Sequence, residues 1–469
     1  MVEVNEPSGD GVFWSANGDG YFFVGDYTRI WMLNEAQDIF DDVTKASATY
    51  EASKLVPWQF VQYGDRVTAV SKNQTTQYFD LGDSTTFDDL AGSPPKARCG
   101  AQVRDFVMVG STTEAGTSFN TRVRWCGFDD TEDWTTDPGG TQADFQDMDA
   151  AYGEVIGIVG GEFATVFQQR AISRFTYAGP PFIFQRDTVE INRGAIATLS
   201  IVPVGRLIFY YSQEGFFAFD GASSTPVSQN MNRWIKNKIT DDTAQRMRSA
   251  HYPDIRCIMW SWPYDPTGAD RPTSSLRIIF NYDVGRWTWD YSATARWYWT
   301  VAPSETLYID DPVYGELLID DLDDPIDSQD GRQTRVVAWN YDGVDWSLKE
   351  LDGGDVEARL ETVKLDLSPG RRTMITSARV IGNLTSATTM RVAAQSSAAY
   401  PANTLASDSG VADFGQNAFE DGFVPLMAEG RYHGIMTKWD GGIGTTTGDL
   451  EELTVVQGIE IEWTPLGKF

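Results

Sequence analysis

Apolar and polar positions alternate along this chain in short bursts, and almost nowhere at helical spacing. Runs rich in Val, Ile, Thr, Phe, Tyr and Trp are cut by Gly, Asp, Asn and Pro, as expected of strands joined by tight turns. GYFFVGDYTRIWML (Gly20 to Leu33), DRVTAVSKNQTTQYFDLG (Asp65 to Gly82) and RDFVMVGSTT (Arg104 to Thr113) are typical. GEFATVFQQRAISRFTYAG (Gly161 to Gly179), GRLIFYYSQEGFFAFDG (Gly205 to Gly221) and SLRIIFNYDVGRWTWD (Ser275 to Asp290) continue the series. One stretch, Asn230 to Arg248, sets Met231, Trp234, Ile235 and Ile239 at helix-like spacing and predicts a single short surface helix. The rest reads as all-β.

The strand-rich segments resemble one another. Each pairs an apolar strand with a second one that ends in an aromatic pair followed by aspartate: Tyr78-Phe79-Asp80, Phe217 to Phe219 before Asp220, Trp287 to Trp289 before Asp290. They begin near positions 21, 66, 106, 163, 207 and 257, about 40 to 57 residues apart, which is the period of a four-stranded propeller blade. The pattern predicts a β-propeller of about six or seven blades over residues 1–349; a pair of β-sandwiches is the competing reading. Within it, Tyr308 to Arg332 sets nine carboxylates against one basic residue and is expected to be an acidic insertion, a long exposed loop. From about 350 to 469 the character changes to plain period-two alternation, as in EARLETVKLDLSPGRRTMITSARVIGNL, which predicts a separate C-terminal β-sandwich domain.

Charge narrows the function classes. Asp and Glu number 67 against 37 Lys and Arg, a formal net charge of −30. Such an excess repels phosphate backbones and anionic lipid heads, so a protein that grips nucleic acid by charge is excluded, while one that lets DNA pass without adhering is not. Three scattered cysteines, Cys99, Cys126 and Cys257, show neither CxxC spacing nor an even count, and read as buried thiols of a protein assembled in a reducing cytoplasm. The opening MVEVNEPSGDGVFW lacks the basic and apolar regions of an export signal, and no segment is apolar for the roughly 18 residues of a membrane span.

Candidate chemistry is thin. RVRWCGFDDTEDW (Arg122 to Trp134) places Asp129, Asp130, Glu132 and Asp133 between two tryptophans. Glycosidases need two carboxylates on facing walls of a cleft, but acids this close in sequence share one turn, where Asp and Glu cap backbone N–H groups. NYDVGRW (Asn281 to Trp287) resembles the Asp-box of sialidases, itself a structural turn, with Asp283 and Gly285 in place and the Trp one position early; NYDGVDW (Asn340 to Trp346) repeats the shape without the glycine. With only His251 and His433, histidine metal sites and a Ser-His-Asp triad have little to draw on. The acidic run from Asp310 to Asp330 lacks the ligand ladder of a calcium loop, and no phosphate-binding glycine motif follows a strand. SPGRRTM (Ser368 to Met374) and VRDFVM read as surface ion pairs. No catalytic residue, metal site or cofactor is expected.

RDFVMVG, RVRWCGFDDTEDWTTDPGGTQADFQDM, IGIVGGEFATVFQQRAISRFTYAGPPFIFQRDTVEINRGAIA and VGRLIFYYSQEGFFAFDG, between Arg104 and Gly221, resemble the central part of phage tail proteins. SPGRRTMITSARV, EGRYHGIMTKW and VQGIEIEWTPLGK are similar to the end of the same proteins. The family is the tail nozzle, or tail tubular protein B, of short-tailed bacteriophages. The resemblance implies a β-propeller with extra β-domains, a ring of six identical subunits and no catalytic residues. It implies docking on the portal and adaptor, contact with tail fibres or spikes, transient passage of double-stranded DNA without specific binding, and a place in the virion tail after assembly in the host bacterial cytoplasm. Family members often carry a further N-terminal segment, whereas this chain enters GVFWSANGDGYFFVGD almost at once; the first blade is then completed from the end of the propeller or from elsewhere.

On that reading the acidic excess keeps DNA from adhering to the conduit. TYAGPPFIF (Thr176 to Phe184) supplies the candidate channel gate, a hairpin with Ala178, Gly179, Pro180, Pro181 and Phe182 at its tip. The competing functions are a propeller glycoside hydrolase acting on surface polysaccharide through Asp283 or one of Asp129 to Asp133, and a host-receptor-binding tail protein.

Overall fold

The computed structural model describes residues 6–34, 39–48, 50, 57–229, 231–253, 256–264, 275–292, 296–303, 334–341, 346–350, 356–361, 367–368, 371–383, 389–397, 412–415, 424–430, 432–441 and 455–468. The chain divides into two compact units, Met1–Glu350 and Leu351–Phe469. The acidic run 308–332 and the turn of NYDGVDW lie outside the described residues.

The first unit is a β-propeller with six four-stranded antiparallel blades, each made of four strands consecutive in sequence. Blade one is Gly9–Trp14, Gly20–Gly25, Ile30–Asn34 and Ile39–Asp42; blade two is Gln59–Tyr63, Arg66–Ser71, Gln74–Asp80 and Asp88–Asp89. Blade three is Lys96–Val103, Phe106–Glu114, Thr117–Trp125 and Asp144–Asp147; blade four is Val155–Val159, Ala164–Gln168, Ala171–Gly179 and Ile183–Ile191. Blade five is Val202–Val204, Leu207–Ser212, Gly215–Phe219 and Ser224–Pro226; blade six is Arg248–Tyr252, Cys257–Pro263, Ser275–Asn281 and Arg286–Ser292. A three-stranded sheet follows, Arg296–Pro303, Thr334–Tyr341 and Trp346–Glu350, and its first strand packs against both blade six and blade one.

The cores lie between blades. Along a strand successive side chains point to opposite faces, and here each face meets a different neighbour. Tyr210, Phe217 and Phe219 of blade five pack against Ile156, Phe167 and Ile172 of blade four. Their sequence neighbours Phe209, Tyr211 and Phe216 pack against Ile258, Trp260 and Ile278 of blade six. Blade one divides the same way, with Phe23 facing Trp58 and Phe79 of blade two, and Phe22, Val24 and Trp31 facing Trp339 of the three-stranded sheet. Strands buried on both faces read as continuous apolar runs, which is why IFYY and GFFAF show no polar alternation.

The repeated segments begin on the second strand of each blade, because the middle strands carry the doubly buried aromatics. The first strands pack side by side around the axis. Blade one is complete within Gly9–Asp42, so neither the end of the propeller nor a segment from elsewhere is needed to finish it. The circuit closes instead through side chains: the Trp339 indole donates to Asp10 at 2.9 Å, Phe22 and Trp339 stack at 6.2 Å, and Glu6 pairs with Arg246 at 2.9 Å.

The single helix expected in Asn230 to Arg248 is two: Asn232–Lys236 and Asp241–Gln245. Thr240 interrupts the run by capping the second, its hydroxyl accepting from the Thr243 N–H in a capping box. No described helix is long and apolar enough to cross a membrane.

The second unit holds two antiparallel sheets. One orders Val356–Glu361, Tyr432–Gly441, Thr389–Ser397 and Ala412–Gly415; the other orders Val424–Gly430, Arg371–Asn383 and Val455–Lys468. Trp463 and Leu466 of the last strand are exposed.

Candidate functional site

In an antiparallel blade whose first strand starts at one end, the turns joining strands one to two and three to four emerge together at the other. This turn face gathers residues 126–143 of blade three, the tip 180–182 of blade four, Arg104–Asp105, and Glu162–Phe163. It holds both features the sequence singles out.

The four carboxylates of FDDTEDW are tied into the blades. Asp129, with φ of 54°, accepts the Tyr63 hydroxyl at 2.6 Å. Asp130 and Asp133 accept the Glu132 and Thr135 N–H groups, each at 2.9 Å, as Asx turns do. Glu132 accepts from Arg66 at 2.6 Å, and Arg66 also holds Asp80 through two bonds of 2.7 and 2.9 Å. Its hydrogen bonds to the Asp80 and Glu132 carboxylates keep the Arg66 guanidinium firmly protonated. Trp134 is buried and donates to the Thr131 carbonyl at 2.9 Å. The backbone comes so close to blade two that a Cβ on Gly92, whose φ is +75°, would stand 1.5 Å from the Glu132 oxygen. Asp129 and Glu132 therefore bind blade three to blade two, and Asp130 and Asp133 close the turn between them.

The hairpin of blade four has a fixed base and a free tip. Tyr177 donates to Gln142 at 2.8 Å and lies under the Arg104 guanidinium at 4.8 Å. Gln146 donates to the Phe184 carbonyl at 2.7 Å, and the Phe184 ring meets Trp125 edge-on at 5.0 Å. Beyond this base Ala178, Pro180, Pro181 and Phe182 are exposed, Phe182 at 76%. Gly179, at φ of +79°, makes the turn, and its carbonyl accepts the Phe182 N–H at 3.2 Å. The tip belongs to the outer half of its blade, away from the propeller axis, so any gate it forms closes a passage outside the propeller.

The remaining candidates are structural. Asp283 pairs with Arg256 at 3.0 Å, and Asn281 accepts the N–H groups of Asp283 and Val284 at 3.1 Å each, making NYDVGRW a closed hairpin turn. His251 lies 3.2 Å from the Tyr282 hydroxyl, and burial lowers its pKa. Cys99, Cys126 and Cys257 are buried thiols outside any disulfide; burial pushes the first two up to about 12. Among the described residues no group of three or more His, Cys, Asp or Glu is placed to hold a metal. Arg371 and Arg372 are exposed.

Two features escape the sequence. Lys72 lies 3.0 Å from the Ser111 hydroxyl, and burial lowers its pKa, as in a Ser-Lys nucleophile pair; but Ser111 is fully buried, and the lysine also bonds Asn120 at 2.7 Å. It acts as a cross-blade tie. A cavity of about 500 Å³ runs between the inner strands, lined by Asp10, Gln59, Gln102, Gly157, Thr198 and Arg248 among others. Its charged groups serve the closure: Asp10 holds Trp339, and Arg248 donates to the Pro7 carbonyl. Both features come from residues far apart in sequence, and no local motif marks them.

No family model matches the chain, and no curated protein matches it. Among solved structures it is similar to YCF48 from Cyanidioschyzon merolae, at 11% identity and a TM-score of 0.38, covering 74% of this chain and 98% of that one. It is similar also to BamB from Moraxella catarrhalis, at 11% identity and a TM-score of 0.35, with 64% and 82% covered. A chain of the mitotic checkpoint complex gives 11% identity and a TM-score of 0.36, with 60% and 78% covered. Likeness this low carries no functional argument, and the blade assignment rests on the strand pairing itself.

Proposed function

We propose that this protein is a structural virion component, the tail nozzle of a short-tailed bacteriophage, six copies of which form the distal conduit that retains and then passes the genome. The observation that carries this reading is the division of labour on the turn face. Asp129 and Glu132 on this face tie blade three to blade two, while Phe182, apolar and 76% exposed, stands on a fixed hairpin. A hydrolase needs acids free to meet substrate; an assembling part needs rigid apolar contact points. The phage assignment itself comes from the sequence resemblance.

On this reading the two sheets of the second unit pack face to face as a β-sandwich, which is supported by the strand Val424–Gly430 of one lying against Thr389–Ser397 of the other. The net charge of −30 lets DNA slide past the lumen without adhering. Portal-bound adaptor and tail fibres are the expected partners. Averaged images of the tail in purified virions test the proposal. A sixfold ring with an axial pore beneath the portal is the expected result; a trimeric or off-axis appendage overturns it.

A further inference from the structure

Of the seven exposed large apolar side chains among the described residues of the propeller, three are phenylalanines on one face. Phe128 (48% exposed), Phe163 (42%) and Phe182 (76%) all stand on the turn face of blades three and four. Phe128 meets the Phe106 ring at 5.7 Å, Phe106 meets Tyr177 at the base of the Phe182 hairpin at 5.8 Å, Arg104 lies over Tyr177 and approaches Glu162 at 3.5 Å, and Phe163 lies under the Arg174 guanidinium at 5.9 Å. Around them stand the carboxylates of Asp105, Asp129, Asp130, Glu132, Asp133 and Glu162, against the guanidinium groups of Arg66, Arg104 and Arg174. The surface is apolar and ringed by negative charge.

A surface of the opposite kind lies near the other end of the strands. The helix Asn232–Lys236, in the connection from blade five to blade six, presents Arg233 and Lys236 to solvent, and Lys238 follows. Its Trp234 packs at 5.2 Å on Trp289, an indole 54% exposed on the outer strand of blade six. In a chain with a net charge of −30, Arg233, Lys236 and Lys238 beside exposed tryptophan form a local exception, bounded by the exposed Asp241 and Asp242 of the next helix.

We propose that the aromatic, acid-ringed turn face of blades three and four docks on the Arg233, Trp234, Lys236 and Trp289 surface of a second copy of this chain. A contact of like surfaces would set the same carboxylates against each other, and like-charge juxtaposition at an interface is strongly unfavourable. The complementary pairing is head-to-tail, and such a heterologous contact closes into a ring when its rotation permits. Aromatic side chains meeting at the centre with charges at the rim is the usual anatomy of a specific interface. The inference deepens the ring reading and rests on it only for the number of copies.

Because the native cysteines are buried, introduced surface cysteines report the contact. Full-length Phe182→Cys and Lys236→Cys proteins, purified separately and mixed with a short bis-maleimide, are expected to give covalent dimers, and neither alone should. A chain carrying both substitutions should give a ladder of multimers that 1 M salt suppresses. Phe163→Cys with Trp289→Cys serves as a second, independent pair. Dimers from Phe182→Cys or Phe163→Cys alone, or no mixed dimers from either pair, overturn the contact. A sixfold ring in virions without these cross-links removes this interface and leaves the conduit reading standing; cross-links without an axial ring do the reverse.

Discussion

The loop at residues 126–143 of blade three and the hairpin tip at 180–182 of blade four are neighbours on one face and opposite in design. The loop is rich in ionisable groups, yet each carboxylate of FDDTEDW meets a donor of the protein itself. The tip has no ionisable group and leaves Phe182 76% exposed on a base held by Tyr177 and Phe184. Chemical conspicuousness therefore marks scaffold here, and the free surface belongs to the plainer segment. Carboxylates reach in because a turn full of unpaired N–H groups needs acceptors. The phenylalanine points out, and none of the described residues covers it.

If the loop is scaffold, its anchors should dominate stability. Trp134→Ala removes a fully buried indole and its bond to Thr131, and should cost about 3–5 kcal/mol by denaturant unfolding. A loss under 1 kcal/mol would mean that the loop is detached from the blade. Arg66→Ala strips Asp80 and Glu132 of their shared cation and should cost about 2 kcal/mol. Arg66→Lys should recover only part, because a point ammonium cannot reproduce the two-pronged bond to Asp80. Tyr63→Phe deletes one charge-assisted bond to Asp129, worth about 1 kcal/mol.

The fold was legible where both faces of a strand are buried. GYFF, IFYY and GFFAF announce strands because each alternate set meets a different blade. The innermost strands, such as Gln59–Tyr63, border the axis and carry fewer large apolar side chains, so the repeat was read from the second strand onward. The recurrent aspartate after an aromatic pair is explained locally: Asp220 accepts the Ala222 and Ser223 N–H groups, and Asp80 takes Arg66. The closure at Trp339 and Asp10 was not legible, since it joins residues from opposite ends of the unit. At the candidate site, the hairpin was visible as Gly-Pro-Pro between strands, but neither its bond to Gln142 nor its apolar neighbours Phe128 and Phe163 could be read from spacing.

A pH titration adds a carboxylate of blade three that lies away from the loop, toward the other end of the strands. Arg122 holds Asp147 by bonds of 2.7 and 2.9 Å, and this keeps the Asp147 carboxyl below its usual range. Its folded pKa is depressed, so the stabilisation is complete above about pH 4, the unfolded value, and is lost as pH falls through the folded one. Asp147→Asn should flatten that part of the stability profile. Asp147 is half exposed, so the effect is small and shrinks further in salt.

Phe182→Ser carries the smallest expected effect on the isolated protein and the most telling one on assembly. The side chain is 76% exposed, so its removal should change unfolding free energy by no more than about 0.5 kcal/mol. Folding and function would then separate cleanly. A protein of undiminished stability that no longer multimerises, or particles that lose DNA before infection, would place the work of the turn face in the tip. A Phe182→Ser protein that is markedly destabilised would show instead that the tip is anchored like its neighbour, and the contrast between the two segments would collapse. Assembly and DNA retention both unchanged by the substitution would leave the contrast intact and remove its functional reading, because an apolar anchor at the centre of an interface should cost more than 1 kcal/mol when truncated.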